Sequence, residues 1–483
     1  MIRIILTSIF LSFCIFTAFA SDGYKIKVTF SNYKGQYLYL GYHLADKQYI
    51  KDTVQVNGDG EYIFQADTLL DAGMYLVVLP SKNYFQIIVD NDQQFSIQAD
   101  TNDFALTTKI KGDEQNTKFF EYLNFLNLHR PEIDAINAAF RDTTISADKR
   151  KKLEDDQKNI NGKVREYQLN IIKNNPKWLL SAIIKSTIDP DLPDLKGTDE
   201  EIQKQRYIFS KEHWFDNVNL GDDRLLRTPI LFQKISYYIE KLTPQIPDSI
   251  NQSIDTILTR LEPAKTSYRY FLVHFLNSYA QSKFVGMDAV YVYLAENYYA
   301  KKKAPWTDEQ DLLKIIDNAR RLKPLLIGKI APDILMQRRD GSEIALHDVK
   351  SEYTILLFWK PDCGHCKKEM PALDSIYNEL KALHVEVFAV CVKLKDDTPK
   401  CWEFIDEHKF DKWMNLVDPL HKSGFYTIYD VTTTPMLYLL DEKKEIISKR
   451  LGVHQLLEVI PKLQEIQRNK KKEAGEKKSK NGK

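Results

Sequence analysis

The sequence holds one compact group of residues suited to redox chemistry, Cys363-Gly364-His365-Cys366. An apolar run from Tyr353 to Trp359 predicts a buried strand just before it, and a helical pattern follows it. A cysteine at a helix N-terminus meets unpaired N–H groups and a partial positive charge, which stabilise its thiolate. We therefore predict that Cys363 is the nucleophile and that Cys366, one turn later, resolves a mixed disulfide.

Other uses of a cysteine pair fit this sequence less well. A structural zinc site needs a second Cys or His pair. Covalent haem attachment needs His directly after the second cysteine, where Lys367 stands. A purely structural disulfide remains an alternative, but the position between strand and helix favours redox catalysis. His365 adds an imidazole that lowers a thiol pKa when it is protonated. We predict no metal and no cofactor.

The overall composition limits the class of protein. A length of 483 residues predicts two to four domains. Hydrophobic residues make up 43% and charged residues 28%, as is typical of globular proteins. The balance of 68 basic to 67 acidic residues gives no whole-chain attraction to nucleic acid or to an anionic membrane. We therefore expect no nucleic-acid partner.

The first twenty residues predict export. Arg3 precedes an apolar run over 4–16, and Ala18-Phe19-Ala20 fits a signal-peptide cleavage site. The run is shorter than the roughly 20 apolar residues that cross a bilayer. No later stretch is long and apolar enough for a stable transmembrane segment. We expect a protein that is soluble after cleavage and lies in the periplasm or elsewhere in the cell envelope.

The cysteines are used locally. After residue 20 they are Cys363, Cys366, Cys391 and Cys401, and residues 21–362 have none. A secreted chain held together by disulfides spreads its cysteines along its length. Cys391 ends an apolar strand and Cys401 opens the next helix. Because buried free cysteines are common, we expect two free core residues, with a second disulfide as the alternative.

The hydrophobic pattern changes twice along the chain and predicts a multidomain protein. Short alternating runs over 21–110 predict an antiparallel β-sandwich, and Asn57-Gly58-Asp59-Gly60 predicts a hairpin turn. Helical periodicity over 111–327 predicts an all-α domain. Strand–helix alternation over 328–467 predicts an α/β domain with a central sheet. The lysine-rich residues 468–483 predict a disordered tail.

The segment from Phe358 to Pro371 resembles the thioredoxin superfamily, and within it the TlpA/ResA-like extracytoplasmic thioredoxins. Pro371 lies where that family bends its first helix, and Thr434-Pro435 resembles its cis-proline loop. Residues 328–333 resemble the start of such domains. The likeness covers 328–467. The upstream region is more weakly similar to the N-terminal halves of Bacteroidetes-type envelope thioredoxins.

The resemblance implies a thioredoxin-like fold, protein disulfide or thiol substrates, and re-reduction by a membrane electron donor. It places Thr434, Pro435 and Trp359 at the substrate face. Leu357 stands where thioredoxin has a buried Asp, so the proton acceptor for Cys366 must lie elsewhere. In ResA-like proteins this acceptor is a Glu three residues after the second cysteine, which is Glu369 here. The alternative for Glu369 is a solvated helix carboxylate.

The direction of electron flow stays open at this point. The family likeness favours a reductant of protein disulfides. Gly-His between the cysteines resembles protein disulfide isomerase, so an oxidase or isomerase is one alternative. A binding protein with a regulatory or vestigial redox pair is another.

Overall fold

The computed structural model describes residues 23–142 and 144–480, so the predicted signal peptide lies outside the described residues. The chain forms two compact units. Of the described residues, the first unit comprises those up to 243 with 256–268, and the second comprises 244–255 with those from 269 on. The helical region that the sequence predicts as one domain is therefore divided between the two units.

Eight strands of the first unit form two four-stranded sheets, ordered β4-β1-β7-β8 and β3-β2-β5-β6. Alternate residues are buried along most strands, as expected when one face of each sheet is covered. The pairing of β1 with β7 is parallel, which departs from the predicted all-antiparallel arrangement. The strands are β1 (Tyr24–Phe30), β2 (Tyr37–Leu44), β3 (Lys47–Gln55), β4 (Tyr62–Ala66), β5 (Gly73–Val78), β6 (Tyr84–Val89), β7 (Gln94–Ala99) and β8 (Lys109–Lys111).

The predicted hairpin at 57–60 is wrong. The turn forms, because the N–H of Asn57 donates to the carbonyl of Glu61 (2.9 Å). However, β3 before it and β4 after it belong to different sheets. The turn signal fixes a local reversal of the chain, and strand pairing is decided by contacts distant in sequence.

Helices predominate from 114 to 322, and several begin at residues that cap them well. The side chains of Asp113 and Ser146 accept backbone N–H groups at two helix starts, and Thr198 with Glu201 forms a capping box. A π-helical turn follows α9 at Ala295–Tyr299. The helices are α1 (Phe104–Thr107), α2 (Glu114–Phe140), α3 (Ala147–Asn174), α4 (Leu179–Thr187), α5 (Asp199–His213), α6 (Pro229–Glu240), α7 (Pro247–Leu261), α8 (Lys265–Ala280), α9 (Asp288–Leu294) and α10 (Glu309–Leu322).

The second unit contains a seven-stranded sheet, ordered β10-β9-β13-β12-β11-β14-β15. Strands β11, β12 and β13 are parallel, while β14 is antiparallel to β11 and β15 is antiparallel to β14. The carboxyl ends of β11, β12, β13 and β15 therefore meet at one edge, here named the carboxyl edge. The strands are β9 (Leu335–Gln337), β10 (Glu343–Ala345), β11 (Tyr353–Trp359), β12 (Val385–Cys391), β13 (Met414–Val417), β14 (Met436–Asp441) and β15 (Ile446–Lys449).

Both faces of this sheet are covered, which explains why β11 and β12 read as continuous apolar runs. One core includes Leu373 and Leu380 of the first helix after β11, and the other includes Phe388 and Tyr429. The helices here are α11 (Cys366–Ala382), α12 (Pro399–His408), α13 (Phe425–Ile428) and α14 (Leu456–Lys480).

Helix α14 continues through Lys480, past residue 467 where the sequence predicted the ordered domain to end. Among the helices of the described residues, none combines the length and the apolar character needed to cross a membrane.

Candidate active site

The two cysteines lie at the carboxyl edge, where the loop after β11 enters α11. The N–H of Cys363 donates to the carbonyl of Lys360 (3.3 Å), and the carbonyl of Cys363 accepts the N–H of Lys367 (3.0 Å). The N–H of Cys366 points at Cys363 Sγ, 3.4 Å away. Cys363 is partly exposed and Cys366 is fully buried, and both are free thiols.

The surroundings lower the pKa of Cys363 below its ordinary value of 9.0. Partial burial alone would raise this pKa, but hydrogen bonds to the thiolate outweigh burial. The donors are the Thr434 hydroxyl, the Cys366 N–H and thiol, and the N–H of His365. His365 contributes its backbone N–H here, and the role of its imidazole stays a prediction.

The pKa of Cys366 moves in the opposite direction. Burial raises it to about 12, and the hydrogen bond that its thiol donates to Cys363 holds the proton further. The pair therefore consists of one accessible sulfur with a lowered pKa and one enclosed sulfur that stays protonated at neutral pH. This asymmetry is what stepwise thiol–disulfide exchange requires.

The loop carrying Thr434 and Pro435 faces the cysteines, and the Thr434–Pro435 peptide bond is cis. The Cys363 thiol donates to the carbonyl of Thr434 (3.1 Å). The Thr434 hydroxyl is buried and has no hydrogen-bond partner among the described residues while Cys363 is protonated. It is therefore available to the sulfur once Cys363 loses its proton.

A cleft of about 420 Å³ opens beside the cysteines. Leu357 lies in its wall, so the position of the thioredoxin Asp is apolar here. The Glu369 carboxylate accepts the N–H of Val453 (3.0 Å), which holds it at the cleft. The cleft is lined by Leu357, His365, Glu369, residues 433–437 and residues 450–453. The structure thus brings Glu369, His365, Thr434 and Pro435 to one cavity.

Trp359 is not at the substrate face. It has no exposed surface, and its ring packs 5.4 Å from the ring of Phe404. Its carbonyl accepts the N–H of Val392 (2.9 Å), which fixes it in the sheet. As the last residue of a strand buried on both faces, it belongs to the core, and the predicted substrate contact is corrected.

Cys391 and Cys401 form a disulfide, so the expectation of two free thiols is wrong. Their Cα atoms are 6.3 Å apart, and both residues are buried. The bond joins the end of β12 to the first turn of α12. Cys391 pairs with Trp359 across the sheet, four residues before Cys363. A cysteine at the end of β12 and another at the start of α12 are a signal for this disulfide. The common occurrence of buried free cysteines favoured the other outcome.

The sequence did not predict two sets of contacts between the helical region of the second unit and the segments next to the cleft. Lys449, buried at the end of β15, pairs with Asp288 at the start of α9 and donates to the carbonyl of Leu325 (2.7 Å). Arg321 of α10 lies 3.7 Å from Asp430. Lys449 directly precedes cleft segment 450–453, and Asp430 lies three residues before segment 433–437. Ion pairs to α9 and α10 therefore hold the chain next to both walls of the cleft.

Three family models match the chain. The AhpC/TSA family matches residues 327–462, and two domains of unknown function, DUF5106 and DUF4369, match residues 144–322 and 24–119. The thioredoxin-like protein YneN from Bacillus subtilis is 30% identical over 138 residues, covering 28% of this chain and 78% of that protein.

Two further relatives are named for thiol–disulfide chemistry. The thiol-disulfide oxidoreductase ResA from Bacillus anthracis is 29% identical over 126 residues, covering 26% of this chain and 70% of that protein. A crystallised domain of a possible thiol-disulfide isomerase from Cytophaga hutchinsonii is 36% identical, covering 30% of this chain and 98% of that one, with a TM-score of 0.29.

The seven-stranded sheet and the cysteine pair define a thioredoxin-like domain. The chain belongs to the family of ResA-like thiol–disulfide oxidoreductases, and it is an enzyme of that class. The predicted resemblance and the predicted enzyme class are confirmed, as is the multidomain fold with β-sheets, helices and a C-terminal α/β domain.

Proposed function

We propose that the enzyme reduces protein disulfides outside the cytoplasm. The observation that carries this proposal is the asymmetry of the two thiols, with the pKa of Cys363 lowered and that of Cys366 raised to about 12. The donors to the Cys363 thiolate are a hydroxyl, a thiol and backbone N–H groups, none of which carries a full charge. Strong oxidants stabilise their thiolate far more, with pKa values near 3.5. Because no fully charged group donates to the Cys363 thiolate, we propose a reductant and not a strong oxidant.

The reaction balances as a two-electron exchange. The Cys363 thiolate attacks one sulfur of the substrate disulfide, that bond breaks, and the first substrate sulfur leaves as a thiolate. Cys366 then loses its proton and attacks Cys363 Sγ. The second substrate sulfur leaves, and the Cys363–Cys366 disulfide forms. The substrate is reduced by two electrons, and the enzyme needs a dithiol donor to return to its starting state.

We further propose that Glu369 receives the Cys366 proton. Its position three residues after Cys366 places it on the same side of α11, and its hydrogen bond from Val453 keeps the carboxylate in the cleft. Thr434 and Pro435 then form the surface along which substrate backbone lies, beside Cys363 Sγ.

Glu369→Gln tests the proton transfer. Glutamine retains an oxygen that accepts the Val453 N–H but does not take up a proton at neutral pH. We expect resolution of a preformed Cys363 mixed disulfide to slow by about 10²-fold, the usual contribution of a positioned base. Alkylation of Cys363 by iodoacetamide should change little. The two rates are measured by stopped flow on the same preparations, and equal resolution rates in both proteins would reduce Glu369 to a solvated carboxylate.

The proposed location and electron donor follow from separate observations. The sequence-predicted signal peptide supports export to the periplasm or cell envelope. Re-reduction then requires a donor that carries electrons to that compartment, and we propose a membrane protein with a dithiol. Protein thiols and disulfides are the substrates that this enzyme class implies.

The reduction potential of the Cys363–Cys366 pair tests the direction. We expect a value below about −220 mV, in the range of thioredoxin and glutaredoxins, together with reduction of insulin by the dithiol-loaded enzyme. A potential near −120 mV, with rapid oxidation of reduced substrates, would assign the enzyme to disulfide formation instead. Failure to exchange with any disulfide would leave the binding-protein alternative.

A further inference from the structure

The carboxyl edge carries an excess of positive charge around Cys363. Cations follow β11, β12, β13 and β15, which end there, and two more occupy the first turn of α11. Lys367, Lys368, Lys395, Lys422 and Arg450 are exposed, and Lys360 is partly exposed. These six cations have no ion pair among the described residues: Lys360, Lys367, Lys368, Lys395, Lys422 and Arg450.

The carboxylates at the same edge do not offset them. Asp362, beside Cys363, is paired with Lys393 (2.9 Å), and Asp397 is paired with Lys400 (2.6 Å). Among the described residues at this edge, the carboxylates without a cation are Asp396, Asp418, Glu369 and Glu343. Asp418 and Glu369 accept backbone N–H groups. Six cations thus stand against four carboxylates, although the whole chain is balanced at 68 to 67.

We propose that this rim of six cations recognises protein substrates whose disulfide is flanked by acidic residues. The inference deepens the proposed function and rests on it. Charge at a binding edge steers oppositely charged partners and raises association rates by 10- to 10³-fold at low salt. Two members of the rim, Lys360 and Lys367, are hydrogen-bonded to Cys363 through their backbones, so the attraction acts where the exchange occurs.

The chemistry of the exchange strengthens this preference. The attacking sulfur and the leaving sulfur both carry negative charge. Carboxylates beside a substrate disulfide repel an incoming thiolate and slow its attack. Cations around Cys363 offset that repulsion, so an acidic substrate gains more from this rim than a neutral substrate does.

The test uses the full-length enzyme and three synthetic peptides that share one disulfide loop. Their flanks carry four Glu, four Lys, or only Gly and Ser. At about 20 mM ionic strength we expect the acidic peptide to be reduced at least tenfold faster than the basic one, with the neutral peptide between them. Raising the salt to about 0.5 M should remove most of the difference, because the screening length falls below 10 Å.

A charge reversal at the rim supplies the matched comparison. Lys367→Glu with Lys368→Glu should lower the ratio of acidic to neutral peptide rates by about tenfold. The control is Lys350→Glu with Lys443→Glu, an equal charge change on exposed residues at the opposite edge of the sheet. Using the ratio within each variant cancels any change in Cys363 reactivity.

The outcomes separate the two proposals. Equal rates for the three peptides, or equal ratios in the rim and control variants, would overturn the acidic-substrate inference while leaving disulfide reduction intact. Failure to reduce any of the peptides would overturn the proposed function itself.

Discussion

Cys366→Ser is expected to convert the enzyme into a covalent trap for its substrates. Cys363 keeps the Thr434 hydroxyl and the backbone N–H of residue 366 as donors to its thiolate, so it should still attack a disulfide. Serine cannot break the resulting bond, and the mixed disulfide then has no internal exit. Expressed with the predicted signal peptide, the variant should carry covalently bound proteins that disappear on adding dithiothreitol. Non-reducing electrophoresis detects these adducts, and mass spectrometry identifies the bound proteins.

Cys363→Ser is the matched control, because it removes the accessible sulfur and leaves the buried one. We expect no trapped protein and a loss of disulfide exchange to background. Substrates recovered from Cys366→Ser would also show whether acidic residues surround their disulfides. A Cys366→Ser variant that traps no more than Cys363→Ser would contradict attack by Cys363 followed by resolution by Cys366.

Removing the Cys391–Cys401 disulfide should lower the stability of the folded protein. Cys391→Ala with Cys401→Ala opens a loop with a sequence separation of 10 residues. Cross-linking a loop of that length stabilises a fold by about 3 kcal/mol through the entropy of the unfolded chain. We expect a loss of about that size in the free energy of unfolding, measured by urea denaturation of the full-length protein.

The control is a count of reactive thiols in the wild-type enzyme, made after unfolding with and without reductant. With the active-site pair reduced, two thiols should react after unfolding without further reductant, and four should react after unfolding with excess reductant. Four reactive thiols after unfolding without further reductant, or an unchanged urea midpoint for the double variant, would show that Cys391 and Cys401 are not joined.

The sequence was sufficient to predict the thioredoxin-like domain because its signals are local. The apolar run of β11, the cysteine spacing and the following helix lie within about thirty residues. The burial of Trp359 was not predictable in the same way. A tryptophan four residues before Cys363 is compatible with either face of the loop, and only the packing of Phe404 against it decides the outcome.

The missed features depend on contacts between residues distant along the chain. Lys449 and Asp288 are 161 residues apart, and neither shows a local pattern that marks a buried ion pair. The second disulfide was closer, but its geometry depends on how the loop between β12 and α12 turns. The division of the helical region between two units likewise follows from tertiary contacts and not from periodicity.

The most direct test of the account is the pH dependence of alkylation at each active-site cysteine in the reduced native enzyme. Iodoacetamide reacts with thiolates, so the rate at each sulfur follows its ionisation. Because hydrogen bonds lower the pKa of Cys363 and burial raises that of Cys366 to about 12, Cys363 should become labelled with a midpoint below pH 9. Cys366 should stay unlabelled through pH 10. Peptide mapping that finds Cys366 labelled first, or both cysteines labelled with one common midpoint, would contradict the assignment of Cys363 as the nucleophile.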